Sequence, residues 1–360
     1  MKTIETIKDN FPRALLETTG AFGDLGTMLP LALGLVVICG FNPVALFLLV
    51  GLAYISTGLY FRVPVPVQPL KAMAAIAIVS GLAPSVVSAG ALWISLILLV
   101  IYMTGLADKL NRIFTKPIVR GIQLGVGLML VNSGLRLVLN GEIIPHVFLP
   151  PVAPGGTWLA PVPLSISIPA LSDFRDALFL LVIPQLPLTL GNSLVSTEYT
   201  ARDYFGPRAA RVTASNLSLS LMIFNLLAGL FSAMPLCHGA GGLTAHRRFG
   251  ASTGNAGAIA GSFFILLAVF FAYMDPSLLS KIPLPLLGAS IIYIGICHAL
   301  LARDLKGARA VAIAAAMGGV GAYFNNFTWA LIAGFAVGGL VRLNAGLLRT
   351  IGRMRAYRIF

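Results

Sequence analysis

The chain has 360 residues, of which 58% are hydrophobic and only 10% are charged, and its formal net charge is +13. Soluble domains carry about a quarter charged residues, so the composition excludes an ordinary soluble protein. Apolar blocks of roughly 15 to 23 residues instead predict an all-α polytopic membrane protein surrounded by membrane lipids. The Lys and Arg residues lie in short loops between these blocks, which excludes a nucleic-acid partner.

Charged or Pro/Gly-rich breaks divide the chain into about twelve predicted transmembrane segments. They lie near 20–38, 43–61, 66–80, 84–105, 118–139, 177–197, 210–232, 237–247, 252–274, 284–301, 308–324 and 328–347. The third and the eighth segments are too short to cross the bilayer as complete helices. The sequence therefore predicts two half-helices among longer spans.

The basic residues predict the orientation of these spans. With twelve spans, nearly all of the Lys and Arg residues fall in loops on one side, and segment 140–174 on the other side contains neither. By the positive-inside rule the basic side is cytoplasmic, and so are both termini. No cleavage-site pattern follows the N-terminus, so we expect a multi-pass protein of the cell (inner or plasma) membrane.

The Pro-rich segment 140–176 divides the chain into two halves. It is expected to form an extracytoplasmic loop or to re-enter the edge of the bilayer. Residues 1–139 hold about five spans and residues 177–360 about seven, so related halves must be inverted with respect to each other. Each half starts with a Gly-interrupted helix and then has a short third segment that begins with proline and polar residues.

The two short segments, 64–72 and 234–250, predict an anion site near the middle of the bilayer. Their prolines keep the chain extended until a helix starts near Gln68 to Leu70. A half-helix that begins inside the bilayer directs unpaired N–H groups and its positive dipole end toward a cavity. Two such helix starts that face each other make an anion site. Lys71 requires a negative partner at this depth, either a substrate anion or Asp24.

Candidate substrate contacts cluster at these helix starts, and each has an alternative role. Gln68 contacts the anion or joins helices by hydrogen bonding, and Lys71 contacts the anion or pairs with Asp24. Asp24 caps the following half-helix, holds Lys71 or carries a coupling proton. His238 binds substrate or carries a proton, or is a satisfied polar residue. The candidate contacts are Gln68, Lys71, Asp24, Thr27, Asn192, Ser193, His238, Gly239, Gly241 and Gly242.

Proton coupling has three candidates, which are Asp24, His238 and Glu198. The alternative for Glu198 is an interfacial position, and the alternative for Asn192 and Ser193 is polar packing. We find no Walker motif, no metal-ligand spacing and no Ser–His–Asp arrangement, so no enzyme activity, metal or cofactor is expected.

Three stretches resemble the signatures of the molybdate-transporter family: GAFGDLGTMLPLALGL, PVPVQPLKAMAAIAI and PLCHGAGGLTAHRRFGASTG. That family is related to the SulP sulfate permeases and, in fold, to the uracil-permease group. The resemblance implies a secondary transporter with inverted repeats that binds a tetrahedral oxyanion between a core and a gate domain.

The substrate implied by the resemblance is molybdate above all, with tungstate or sulfate as alternatives. A general sulfate permease and an uncoupled anion channel are the alternative functions on the same scaffold, and a homodimer is compatible with it. The chain departs from the seven-plus-seven topology of the related folds, because two spans near 140–176 are missing. It also lacks the C-terminal STAS domain of many sulfate permeases.

Overall fold

The computed structural model describes residues 12–106, 115–139, 166, 168–274, 283–324 and 328–338. Its helices are α1 (Arg13–Ala21), α2 (Leu25–Cys39), α3 (Pro43–Phe61), α4 (Lys71–Ser80), α5 (Pro84–Thr104), α6 (Lys116–Leu139), α7 (Leu171–Ala209), α8 (Ala214–Leu230), α9 (Ala240–Phe249), α10 (Asn255–Tyr273), α11 (Leu284–Leu300), α12 (Ala308–Phe324) and α13 (Thr328–Gly338). Two short strands are β1 (Gln68–Pro69) and β2 (Leu236–Cys237). Within these residues, seven helical stretches are long and apolar enough to cross a membrane, which confirms the predicted class.

Local sequence signals explain where several helices begin and end. Asn42 caps α3, because its side-chain oxygen accepts from the amide of Val44 at 2.8 Å, and Pro43 occupies the first helical position. The half-helix α4 ends at Gly81, whose φ of 59° is in the left-handed region that glycine adopts readily. The predicted glycine-rich interruption of the first span is present between α1 and α2.

Helix α7 differs from its predicted bounds of 177–197. It begins at Leu171, because Asp173 accepts from the amide of Ala170 at 3.1 Å and caps the first turn. Residues 171–176 therefore belong to this helix and not to the predicted loop, whose residues 140–165 and 167 lie outside the described part of the chain.

Two segments of α7, Leu178–Val182 and Thr189–Ser196, have the wider π-helical hydrogen-bond pattern. The helix contains Pro184 and Pro187, which cannot donate backbone hydrogen bonds and so favour a local change of pattern. Directly after the second segment, the hydroxyl of Thr197 donates to the carbonyl oxygen of Asn192 at 2.8 Å. The wider turns therefore coincide with the segment that carries the predicted site residues.

The helix pairs follow an inverted two-fold relation between the halves. In chain order, α1–α2, α3, α4, α5 and α6 correspond to α7, α8, α9, α10 and α11. Helix α3 packs on α10, and exchanging the halves turns this pair into α8 on α5, which is also observed. The pairs α6–α11 and β1–β2 map onto themselves.

Two bundles result from this pairing. We call α1–α5 with α7–α10 the core bundle, and α6 with α11–α13 the flanking bundle. Within each bundle, glycines bring helices close together. A Cβ on Gly51 would lie 2.7 Å from the Gly261 carbonyl oxygen in the core bundle, and a Cβ on Gly127 would lie 2.5 Å from the Gly295 carbonyl oxygen in the flanking bundle. Such contacts admit no larger residue without moving the helices apart.

Candidate functional site

The two half-helices meet at the antiparallel bridge between β1 and β2. Gln68 lies opposite Cys237, and the amide of Leu70 donates to the Pro235 carbonyl oxygen at 2.9 Å. Since Gln68 and Pro69 form the bridge, α4 begins at Lys71, slightly later than predicted. The bridge thereby fixes the starts of α4 and α9 beside each other inside the protein.

A cavity of 1320 Å³ lies between the two bundles and reaches these helix starts. The core bundle lines it with α2, α4, α7 and α9, and the flanking bundle lines it with α6 and α11. Of the predicted site residues, the cavity wall includes Asp24, Thr27, Lys71, Asn192 and Gly241. The predicted residues Gln68, Ser193, His238, Gly239, Gly242 and Glu198 are not among the described residues that line it.

The N-terminus of α9 is open to the cavity. Ala240 and Gly241 line it, and a Cβ on Gly241 would meet nothing within 4 Å. The first intrahelical hydrogen bond of α9 runs from the Leu243 amide to the Gly239 carbonyl oxygen at 3.0 Å. The preceding amides have no hydrogen-bond partner among the described residues and carry the positive end of the helix dipole.

The N-terminus of α4 is closed, in contrast to the expectation that both helix starts offer free amides. The side-chain oxygen of Gln185 accepts from the amides of Ala72 and Met73 at 3.0 and 3.1 Å. The other end of this amide donates to the hydroxyl of Thr189 at 3.2 Å. Sequence reasoning missed Gln185, although a single glutamine between two prolines in an apolar run is a recognisable signal.

Replacement of Gln185 by leucine should destabilise the protein, because it leaves two buried amides without acceptors. Each unsatisfied group costs about 1–3 kcal/mol. We expect the melting temperature of the detergent-purified protein to fall by several degrees, roughly 2–4 °C per kcal/mol. Gln185→Glu keeps an acceptor oxygen and should recover most of the loss, and Thr189→Val should cost less than Gln185→Leu. Equal melting temperatures for wild type and Gln185→Leu would contradict the capping role.

Gln68 packs behind the open helix start and contacts Asp24. Its side-chain nitrogen donates to the Asp24 carboxylate, and its oxygen has no hydrogen-bond partner among the described residues. A Cβ on Gly239 would lie 2.5 Å from that oxygen, and a Cβ on Gly242 would lie 2.5 Å from the nitrogen. These two glycines therefore make room for Gln68, whereas Gly241 faces the cavity.

Lys71 is half-buried in the cavity wall and forms no salt bridge with any described residue. Asp24 is at the N-cap position of α2 but makes no capping hydrogen bond, and its carboxylate accepts from Gln68 instead. The carboxylate thus neither caps α2 nor binds Lys71 directly. Lys71 therefore has no direct counter-ion among the described residues.

His238 is fully buried between two partners. Its Nδ1 lies 2.8 Å from the Pro66 carbonyl oxygen and its Nε2 lies 3.1 Å from the Ser220 hydroxyl. Because a carbonyl oxygen only accepts, Nδ1 carries the proton and the hydroxyl of Ser220 donates to Nε2. Both ring nitrogens are therefore engaged in holding the bridge region.

Glu198 and Ser193 lie away from the cavity wall. Glu198 forms an ion pair with Arg202 at 2.6 Å and accepts from the amide of Ala214 at 2.6 Å, which ties the end of α7 to the start of α8. Ser193 is buried in the second π-helical segment of α7. The structure therefore brings together five of the predicted site residues on the cavity wall and places the other six away from it.

One end of the cavity is strongly basic. Lys116 and Arg120 of α6 share the carboxylate of Asp304 at 2.9 and 2.6 Å, and Arg248 at the end of α9 also lines the cavity. These residues belong to the loops and helix ends that the positive-inside rule assigns to the cytoplasm. Helix ends from both bundles therefore surround an opening on the side predicted to be cytoplasmic.

Two solved structures have a fold similar to that of this chain. The transmembrane domain of a cyanobacterium bicarbonate transporter, BicA, matches with a TM-score of 0.57 and 15% identity, over 91% of this chain and 98% of that domain. SLC26A9 matches with a TM-score of 0.59 and 14% identity, over 92% of this chain and 66% of SLC26A9. The chain therefore shares the fold of these two proteins, and its own half-helices meet beside a polar cavity.

The chain belongs to the molybdate transporter family: residues 16–130 and 177–298 match the family described as "Molybdate transporter of MFS superfamily". Molybdate transporter 2 of Arabidopsis thaliana is 27% identical over 81% of this chain and 79% of its own length. Molybdate transporter 1 of Chlamydomonas reinhardtii is 25% identical over 81% of this chain and 85% of its own length. The resemblance seen in the three sequence stretches is thereby confirmed.

Proposed function

We propose that the protein is a secondary active transporter that takes up a tetrahedral oxyanion, with molybdate as its main substrate. The observation that carries this proposal is the open N-terminus of α9 beside Lys71, which has no salt-bridge partner among the described residues. Free amides and an unpaired cation in one cavity are complementary to an anion.

The proposed binding site is asymmetric. The amides of Ala240 and Gly241 donate to the anion from one side, and the ammonium group of Lys71 compensates its charge. Thr27 and Asn192 line the same cavity and offer a hydroxyl and an amide donor. Gln68, Gly239, Gly242, His238 and Ser193 act behind the wall by holding these groups in place. Asp24 is retained as a candidate for the coupling proton because it is a carboxylic acid residue of the cavity wall.

The choice of molybdate is supported by the names of the relatives rather than by the charge of the site. Molybdate, tungstate and sulfate share shape and charge, so the donors around α9 attract all three. Discrimination must come from the space between the helix start and the opposite wall, because the Mo–O bond is longer than the S–O bond. A general sulfate permease is the second candidate function.

The proposed transport cycle is alternating access in the cell membrane. We assign residues 1–139 and 171–360 to the two inverted repeats, with the second repeat starting at the first residue of α7, and we assign both termini to the cytoplasm. The opening beside Lys116, Arg248 and the end of α11 then faces the cytoplasm, so the conformation is inward-facing. Transport requires the core and flanking bundles to move relative to each other and to open the cavity on the opposite side.

Uptake of labelled molybdate into proteoliposomes tests this function. We expect accumulation above the external concentration when an inward proton gradient is imposed, with inhibition by tungstate and little inhibition by a large excess of sulfate. Thr27→Val removes a hydroxyl from the cavity and should reduce uptake several-fold. Thr57→Val should leave uptake unchanged, because Thr57 is buried and donates to the Tyr54 carbonyl oxygen within its own helix.

The alternatives give different results in the same experiment. Equal competition by sulfate and tungstate indicates a general oxyanion permease. Equilibration of molybdate without accumulation under any imposed gradient indicates an uncoupled channel. Uptake no greater than that of protein-free liposomes for every oxyanion tested would overturn the proposed function.

A further inference from the structure

The flanking bundle places two buried polar side chains on the cavity wall. Gln123 of α6 and His298 of α11 both line the cavity, and each is only 6% exposed. In each side chain, one polar atom is held within the flanking bundle and the other has no hydrogen-bond partner among the described residues. Neither partnerless nitrogen is among the fully buried unsatisfied atoms of the described residues, so both are accessible from the cavity and available to a ligand there.

The orientation of Gln123 is set by an ion pair. Arg120 donates from one nitrogen to the side-chain oxygen of Gln123 at 2.8 Å. Its other nitrogens donate to Asp304 at 2.9 and 2.6 Å, which fixes the guanidinium group. Because the oxygen of Gln123 is occupied, its –NH₂ group is the end left for the cavity. The side chain therefore offers an acceptor such as an oxyanion a neutral donor.

The orientation of His298 is set by its own helix. Its Nδ1 lies 3.1 Å from the carbonyl oxygen of Ile294. A carbonyl oxygen only accepts, so Nδ1 carries a hydrogen, and Nε2 remains without a partner among the described residues. The neutral ring presents a lone pair from Nε2, which repels an anion. Only the protonated ring presents an N–H group there, so binding of an anion to His298 requires a proton.

The charges that line the cavity make the protonation of His298 depend on whether an anion is bound. Lys116 and Arg120 line the cavity and share Asp304. The other titratable groups that line the cavity are Asp24, Lys71, Tyr199, Arg248, Tyr293 and Cys297. Lys71 acts electrostatically on His298 and disfavours a further positive charge there while no anion is bound, whereas a dianion in the cavity favours it.

We propose that Gln123 and His298 form the second half of the anion site, opposite Lys71 and α9, and that His298 takes up one proton when the anion binds. This inference rests on the proposed function and names the group that couples the proton. The oxyanion then lies between donors from both bundles. Its binding draws the two bundles together and brings a proton into the cavity at the same step.

The test is the pH dependence of molybdate binding to the purified full-length protein, measured by calorimetry between pH 6.5 and 8. We expect the affinity of the wild type to fall roughly tenfold per pH unit over the range in which the empty site is deprotonated and the loaded site is protonated, as linkage of one proton requires. In weakly buffered solution, the wild type should take up about one proton from the solution for each molybdate that it binds. His298→Gln should bind more weakly at pH 6.5, without pH dependence and without proton uptake.

Two further variants serve as controls. Cys297→Ala alters the adjacent cavity-lining residue and should keep the wild-type affinity and slope. Gln123→Leu should weaken binding about tenfold at every pH without changing the slope. A wild type that binds molybdate without proton uptake, or a folded His298→Gln with the wild-type slope, would overturn this inference while the proposed function stands. A wild type that binds neither molybdate nor sulfate at any pH overturns both.

Discussion

Lys71→Met should strongly weaken molybdate binding while the protein remains folded. The ammonium group has no salt-bridge partner among the described residues, so its removal breaks no ion pair there. It also removes a charge whose burial costs about 2.5–3.5 kcal/mol on insertion scales. The lost contact with a dianion is worth about 1.5–3 kcal/mol, so we expect binding to weaken roughly 10- to 150-fold, measured by calorimetry on the purified protein.

Two controls sharpen this prediction. Lys71→Arg keeps the charge and should retain a large part of the affinity. Lys116→Met removes a cation at the cavity mouth that is paired with Asp304, and it should change the affinity only slightly. Equal losses for Lys71→Met and Lys116→Met would show that the cavity acts through its general positive potential, which would contradict direct binding by Lys71.

Gly241→Leu should eliminate anion binding without destabilising the fold. Gly242→Ala should instead destabilise the fold and leave anion binding in place. A Cβ on Gly241 enters open space, and side chains of a helix lean toward its N-terminus, where the anion is proposed to bind. We expect a loss of affinity of about 100-fold or more. A Cβ on Gly242 would lie 2.5 Å from the Gln68 nitrogen and 2.8 Å from the Pro66 Cβ, so overpacking should cost about 1–3 kcal/mol of stability.

The two readouts separate these effects. Thermal unfolding of the purified variants should show a wild-type melting temperature for Gly241→Leu and a lower one for Gly242→Ala. Calorimetric titration with molybdate should show loss of binding in Gly241→Leu at a temperature where the variant is folded. Wild-type affinity in Gly241→Leu would exclude the start of α9 as the anion site.

Local signals were sufficient to predict the two half-helices and their approximate starts. Prolines and glycines report backbone restrictions within a few residues, so 64–72 and 234–250 could be recognised as interrupted membrane segments. Their pairing through β1 and β2 joins residues that are distant in the chain, and hydrophobicity patterns contain no information about that contact. The early start of α7 was missed because its first seven residues, LSDFRDA, are too polar to count as part of a membrane span.

The site was predicted in part, because sequence reasoning treated the two halves as equivalent. It correctly placed Lys71 and Gly241 at helix starts but could not show that Gln185, 113 residues away from Ala72, closes one of these starts. It also passed over His298, which appears in the sequence as a single histidine in an apolar helix. The orientation of that ring depends on the packing of α11 in the flanking bundle, which composition does not reveal.

In the proposed alternating-access cycle, the charges that line the empty cavity determine how a membrane voltage acts on transport. Lys71 and Asp24 both belong to the core bundle, and their formal charges cancel, so an empty core that returns across the membrane moves little net charge. A core loaded with a dianion moves two negative charges. An inside-negative potential of 100 mV opposes that inward step by about 4.6 kcal/mol, since each charge contributes about 2.3 kcal/mol. Each co-transported proton removes half of this penalty, so the voltage acts on the loaded step and favours anions that enter together with cations.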